Sequence, residues 1–155
     1  MDYAHFHEKF PEIAVRETRA VTLRGHENMP DGEYSMLEMF CDQPGCDCRR
    51  VMIAVHRPYA LHPLAVVNYG WESTAFYARW FGHNNPEIIR EMQGPGLNSI
   101  SRQSPLALPL LEIVQALLQD GNNVPRVKRH YQMFKQVVDQ EAGIKKQPRR
   151  MQKRR

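Results

Sequence analysis

Three short apolar runs dominate the first half of the chain: Tyr34 to Phe40, Val51 to Val55 and Leu64 to Tyr69. Each has the length and the aromatic and β-branched content of a strand. The runs are apolar on both faces, so the sheet they form is expected to be at least partly covered on both sides. After Gly70 the period lengthens. Phe76, Tyr77, Trp80 and Phe81 mark one face of a short helix beginning near Glu72. Asn85-Pro86-Glu87 reads as a helix start, with Asn as cap and Pro in the first turn. That helix ends at Gly94-Pro95-Gly96, and a loop follows to Gln103. Ser104-Pro105 opens another helix reaching Gly121, and Pro109 is early enough in it to be tolerated. The last helix begins near Asn123, with Val127, Tyr131, Phe134 and Val138 on one stripe.

The ends are less regular. Residues 1–11 read as a loosely held segment. From Ile13 to Leu23 the odd positions give an imperfect strand pattern, and Asn28 to Gly32 form a turn cluster. Beyond Gly143 no core-forming pattern remains, which predicts a disordered basic tail over 144–155 behind a single domain over 1–143. Strands first and helices after indicate an α+β fold: a small antiparallel sheet with a hairpin, followed by C-terminal helices.

Composition changes this picture in one respect. A chain of 155 residues with 42% apolar content fits one ordinary globular domain. Its formal charge of +4 is unevenly placed. Residues 125–155 hold 11 Lys/Arg against 2 Asp/Glu, whereas the rest holds 10 against 15. An acidic body with a basic end differs from a uniformly basic nucleic-acid binder. No apolar run approaches the ~18 residues of a membrane span, and the first ten residues lack the apolar stretch of a secretory signal. A cytoplasmic protein with no membrane role is expected.

The chemistry is concentrated in one window. Cys41, Cys46 and Cys48 are the chain's only cysteines and lie within eight residues. Clustered thiols in a small chain point to a metal or to redox chemistry, and an odd number argues against an extracellular disulfide framework. Pro44-Gly45 makes the window the tip of the hairpin between the first two apolar runs. Alternate residues of extended chain point the same way. Cys46 and Cys48 therefore face one side, and Cys41 meets them from the opposite strand. Zinc favours such thiolates in a tetrahedron, so one zinc ion is the expected cofactor.

The window supplies three ligands of four. His56 and His62 lie at the far end of the hairpin, and eight residues of strand is roughly 26 Å. His83 follows a helix that carries it away from the tip. His130 lies on the buried stripe of the last helix, three residues after Val127 and four before Phe134, and is the leading fourth ligand. Asp42, Asp47 or a water are the alternatives. Arg49 and Arg50 could lower the thiol pKa values and the two aspartates raise them. Antiparallel return of the third strand would bring Trp71, Glu72 and Ser73 to the tip, making Glu72 a candidate proton-transfer group; a helix-start acid is the plainer reading.

Four segments together, Glu38–Cys41 with Cys46–Val51, Tyr69–Ser73, Gly94–Ser104 and Lys128–Phe134, resemble a group of small bacterial proteins sharing a CDCRRV hairpin and a KRHYxMF helix. The resemblance covers roughly residues 12–138. It implies no activity, but it implies that His130 belongs with the cysteines. A looser similarity to SEC-C-type metal motifs rests on Cys46 and Cys48 alone.

Three functions fit these residues. The first is a zinc-stabilised binding protein that contacts nucleic acid or another polyanion through Arg49, Arg50, Lys128, Arg129, Lys145, Lys146, Arg149 and Arg150. In the same reading Arg126 joins the outer side of the last helix. The second is a metal-dependent hydrolase with an open zinc position and Glu72 or Asp47 moving the proton. The third is a structural or protein-interaction module without nucleic acid.

Overall fold

A computed structural model describes residues 2–144. The tail residues Lys145, Lys146, Arg149 and Arg150 lie outside that range. The elements are β1 (Tyr3–His5), α1 (Phe6–Lys9), α2 (Pro11–Glu17), β2 (Arg19–Leu23), β3 (Gly32–Cys41), β4 (Arg50–His56), β5 (Ala65–Gly70), α3 (Thr74–Phe81), α4 (Pro86–Gln93), β6 (Gly96–Leu97), α5 (Ala107–Gln119) and α6 (Asn123–Glu141). The fold is α+β, as the order of apolar patterns requires.

The sheet is antiparallel and centred on β3 and β4, which pair from Ser35↔His56 to Met39↔Met52. β1 and β2 lie end to end along the other edge of β3, β1 against Met39–Cys41 and β2 against Gly32–Met36. β5 pairs with β4 from Arg50↔Gly70 to Val55↔Ala65, and β6 adds a short edge. Strand alternation puts Tyr34, Met36, Phe40, Val51, Ile53, Val55, Ala65 and Val67 into one buried cluster. Leu110 and Val114 of α5 close it from above, with Val127, Tyr131, Phe134 and Val138 of α6. The stripe predicted for the last helix is therefore its core face. Along the free edge of β5, beyond β6, the Gln103 side chain accepts from Val66 N–H (3.0 Å) and donates to Val66 O (2.9 Å), standing in for a paired strand.

Two departures concern the N-terminal third. Residues 1–11 are not loosely held; β1 pairs with β3, and Phe6 is buried under α6 against Phe40 and His130. Ile13 to Glu17 are helix, not strand. Pro11 occupies the first helical turn, where its missing N–H costs nothing, and Ala14 is the buried position. Only Arg19–Leu23 of the predicted strand is extended. At the other end, Ile144 N–H still donates to Asp139 O (2.9 Å), so ordered backbone reaches one residue past the expected boundary. No helix among the described residues is long and apolar enough to cross a membrane.

Candidate metal centre

β3 ends at Cys41 and β4 begins at Arg50, so the cysteine window is the loop of their hairpin. Gly45 takes φ +73°, a left-handed conformation that glycine adopts without strain, and Cys46 N–H donates to Gln43 O (3.3 Å). Arg49 turns the chain back into β4 with φ +50°. Tyr77 Oη donates to Arg49 O (2.8 Å), while Arg49 N–H donates to Tyr131 Oη (3.0 Å), which holds this uncommon backbone conformation from both sides.

α6 shapes the rest of the loop. Tyr131, Lys135 and Asp139 are spaced by four and form one face of that helix. Lys135 is buried, and its Nζ donates to Cys41 O (3.1 Å) and Gln43 O (2.7 Å). Asp139 Oδ1 accepts from Gly45 N–H (2.8 Å). Three consecutive turns of one helix thus fasten the carbonyls and amides of the loop and leave its sulfurs free to converge.

They do converge. The sulfurs of Cys41, Cys46 and Cys48 all lie within 4.8 Å of one another. Cys41 and Cys48 are fully buried, and Cys46 is half-buried. No disulfide joins them. The Cys48 thiol hydrogen-bonds the Cys41 sulfur, Gln43 N–H donates to it (3.4 Å), and the Lys135 charge lies nearby; together they outweigh burial and pull Cys41 down to about 6. The same contact with Cys41, added to burial, pushes the Cys48 thiol up; burial and then the Cys41 charge push Cys46 up. The set is thus one sulfur ready to be a thiolate, with two thiols donating around it. Such a group fits a soft or borderline divalent cation, because thiolate is the metal-binding form and N–H···S donors stabilise it. Three close cysteines can bind a metal ion.

His130 is not with them, which corrects the expectation for the fourth ligand. Its ring is fully buried, stacked on Phe6 at 4.1 Å between centroids. Nδ1 lies 2.7 Å from Glu38 Oε2, and Nε2 lies 2.7 Å from Glu17 Oε2. Two carboxyl groups bracketing one ring favour the doubly protonated form, in which both nitrogens donate. Burial opposes that charge, but the Glu38 and Glu17 bonds prevail and raise the His130 pKa. The hydrogen bond with His130 in turn lowers Glu17. Glu38 is buried as well; its Oε1 and the Arg126 Nε have no partner among the described residues, and both residues line a cavity of about 20 Å³. The periodicity that put His130 on the core face was correct; these two acids, on α2 and β3, claim the ring.

The other predicted residues divide. Glu72 does come to the hairpin tip, where its Oε1 accepts from Arg49 Nη1 (3.4 Å). It lines a cleft of about 350 Å³ with Arg49, Trp71, Lys128, Tyr131 and Gln132, and none of the cysteines lines that cleft. Arg49 also grips Asp47 with two bonds (2.8 and 2.9 Å) and lies over the Phe76 ring. Asp47 is thereby committed to Arg49. Arg50 Nε donates to Met92 O (3.0 Å), tying β4 to the end of α4. Arg129 pairs with Glu17, and Arg126, half-buried with Nη1 on Asn123 Oδ1 (2.6 Å), does not belong to an outer basic face. Lys128 is exposed beside the cleft. Lys135 was not foreseen. A lysine amid an apolar stripe has no distinguishing pattern beyond its four-residue spacing from Tyr131 and Asp139.

No protein-family model, curated protein or solved structure matches the chain.

Proposed function

We propose that the chain is a cytoplasmic zinc-binding protein in which one ion fixes the tip of the β3–β4 hairpin, and that its basic C-terminal end contacts nucleic acid or another polyanion. The observation that carries the metal reading is the meeting of three sulfurs within 4.8 Å on a loop fastened by Tyr131, Lys135 and Asp139. The polyanion reading rests on charge placement: the surplus of positive charge lies in residues 125–155. Arg49, Arg50 and Arg129 are engaged by protein groups, so the contact surface is Lys128 with Lys145, Lys146, Arg149 and Arg150. Each phosphate so neutralised releases a counterion and adds about one to the salt slope of binding.

Metal content per chain, before and after Cys46→Ser, tests the first part. About one zinc that is lost in the variant is expected; metal-free folded protein sinks the reading. Retention of single-stranded and duplex DNA in a low-salt gel, for the full chain and for 1–144, tests the second. Retention that weakens with salt and with truncation is expected, and none at low salt removes it.

One observation favours a hydrolase as the second reading: three convergent ligands leave a tetrahedral ion one position short. Against it, Glu72 is paired to Arg49 and faces a cleft without sulfur.

A further inference from the structure

We infer that the sheet face turned away from α5 and α6 carries a binding site for a small monocarboxylic acid with an apolar body, its carboxylate held by Arg50 and Asn68. The site is a cleft of about 460 Å³ over β4 and β5. None of the cysteines lines it, so it is separate from the metal centre.

Strand alternation builds the floor. Val51, Ile53 and Val67 turn into the core beneath α5 and α6, which turns Met52 and Asn68 to the other side. Trp80 and Phe81 of α3 and Met92 of α4 form the walls. Two lining residues are exposed apolar side chains: Phe81 at 46% and Ile100 at 93%. Apolar side chains left open around one concavity mark a ligand site rather than a solvated surface. The volume lies within the range of about 300–1,000 Å³ common to small-molecule sites.

A buried amide supplies the first polar contact, and its orientation is fixed by backbone. Ile100 N–H (3.2 Å) and Ser101 N–H (2.9 Å) both donate to Asn98 Oδ1. The Asn98 Nδ2 therefore donates to Asn68 Oδ1 (2.9 Å), which leaves Asn68 with its own Nδ2 as a donor in the cleft. Asn68 is 2% exposed, and that Nδ2 has no acceptor among the described residues. A polar side chain so buried ordinarily finds every partner it needs, so an unpaired one beside a cleft points to an acceptor from outside.

Arg50 supplies the second. Its Nε is held on Met92 O (3.0 Å), while Nη1 and Nη2 donate to nothing among the described residues. Because Arg50 opposes Gly70 and Met52 opposes Asn68, Arg50 and Asn68 are diagonal neighbours on one sheet face, about 7–8 Å apart. The two oxygens of one carboxylate can bridge that span, and a guanidinium favours a planar anion. The charged side chains lining the cleft are Arg50 and Asp2; Tyr3 also lines it, with a pKa that burial raises, and stays neutral. Asp2 is exposed and precedes β1, which β3 separates from β4, so it sits away from the two donors. The half-buried Arg50 therefore sets the sign of the head group, and the Met and aromatic walls take the apolar body.

Titration of the full-length protein with octanoate, 1-octanol and octylammonium, followed in ¹H–¹⁵N spectra, tests the site. Saturable shifts of the Asn68 side-chain amide and the Trp80 indole N–H with octanoate are expected. Binding of 1-octanol and of octylammonium is expected to be at least tenfold weaker. Either group unmoved at millimolar octanoate overturns the site. Equal or tighter binding of 1-octanol or octylammonium overturns the carboxylate. Asn68→Asp removes the donor and should abolish octanoate binding, but it also disturbs the bond to Asn98. Phe81→Glu therefore gives a second arm on an exposed side chain: with the amide pattern of the fold retained, at least fivefold weaker octanoate binding is expected. Unchanged octanoate affinity in Phe81→Glu overturns the inference.

Discussion

Replacing His130 with alanine removes a buried imidazolium from between two carboxylates. Glu38 is left beneath α6 with its charge uncompensated on the His130 side, and Phe6 loses its stacked partner. Breaking a buried ion pair by deleting one member costs about 3–5 kcal/mol. Glu17 adds less, because its side chain is 29% exposed and solvent screens it. The whole domain is expected to be stable by only about 5–15 kcal/mol, so the variant loses a large share. In equilibrium urea unfolding, with a slope of about 2 kcal/mol per M, the midpoint falls by roughly 2 M. The effect depends on pH with a definite sign. The raised His130 pKa gives a contribution that is complete below the ordinary value of 6.5 and fades as pH rises through the higher folded value. The lowered Glu17 pKa gives one that is present above 4.5 and fades as pH falls through the depressed folded value. The gap between wild type and His130→Ala is therefore widest between about 4.5 and 6.5. A cost under about 1 kcal/mol at pH 6, or a gap that widens towards pH 9, would refute the reasoning.

Other perturbations separate structural from binding roles. Lys135→Met strips the donor from two loop carbonyls and should cost about 1–3 kcal/mol in thermal or urea unfolding, where a surface lysine would cost almost nothing. Gly70→Ala puts a methyl group 2.2 Å from Tyr77 Oη, the hydroxyl that holds Arg49 O; a loss of about 1–3 kcal/mol is expected in the same assay, and an unchanged midpoint contradicts the packing. Arg50→Ala should lower stability while leaving DNA retention unchanged, and Lys128→Ala should do the reverse, reducing the salt slope by about one. If Arg50→Ala weakens retention as much as Lys128→Ala, the partition of basic residues drawn above is wrong.

The hairpin and its cysteines were legible because both are local. Pro44-Gly45 marks the turn and all three cysteines lie within one hairpin loop, so their meeting was legible from proximity; strand alternation did not place them, because Cys46 and Cys48 precede the start of β4 at Arg50 and α6 fastens their loop. Glu72 reached the tip for the same reason: antiparallel return of β5 is a short-range consequence of β4. The stripe on α6 was legible as burial, though its chemistry was not. Which groups His130 meets depends on Glu17 and Glu38, 113 and 92 positions away, and no periodicity carries that information. Lys135 was hidden by the usual expectation that lysine faces water; it is buried because loop carbonyls at Cys41 and Gln43 receive its ammonium. The segment from Ile13 to Glu17 misled because alternate apolar residues at Ile13 and Val15 mimic a strand. Val15 is in fact 86% exposed on a helix whose buried residue is Ala14.

The central claim is that the three sulfurs hold one metal ion together. X-ray absorption at the zinc edge of the purified full-length protein reads the ligand shell directly. The account predicts three sulfur scatterers near 2.3 Å and one lighter atom near 2.0–2.2 Å, and no bound zinc to read in Cys46→Ser. A folded protein carrying no bound metal, or zinc surrounded only by nitrogen and oxygen, would contradict it.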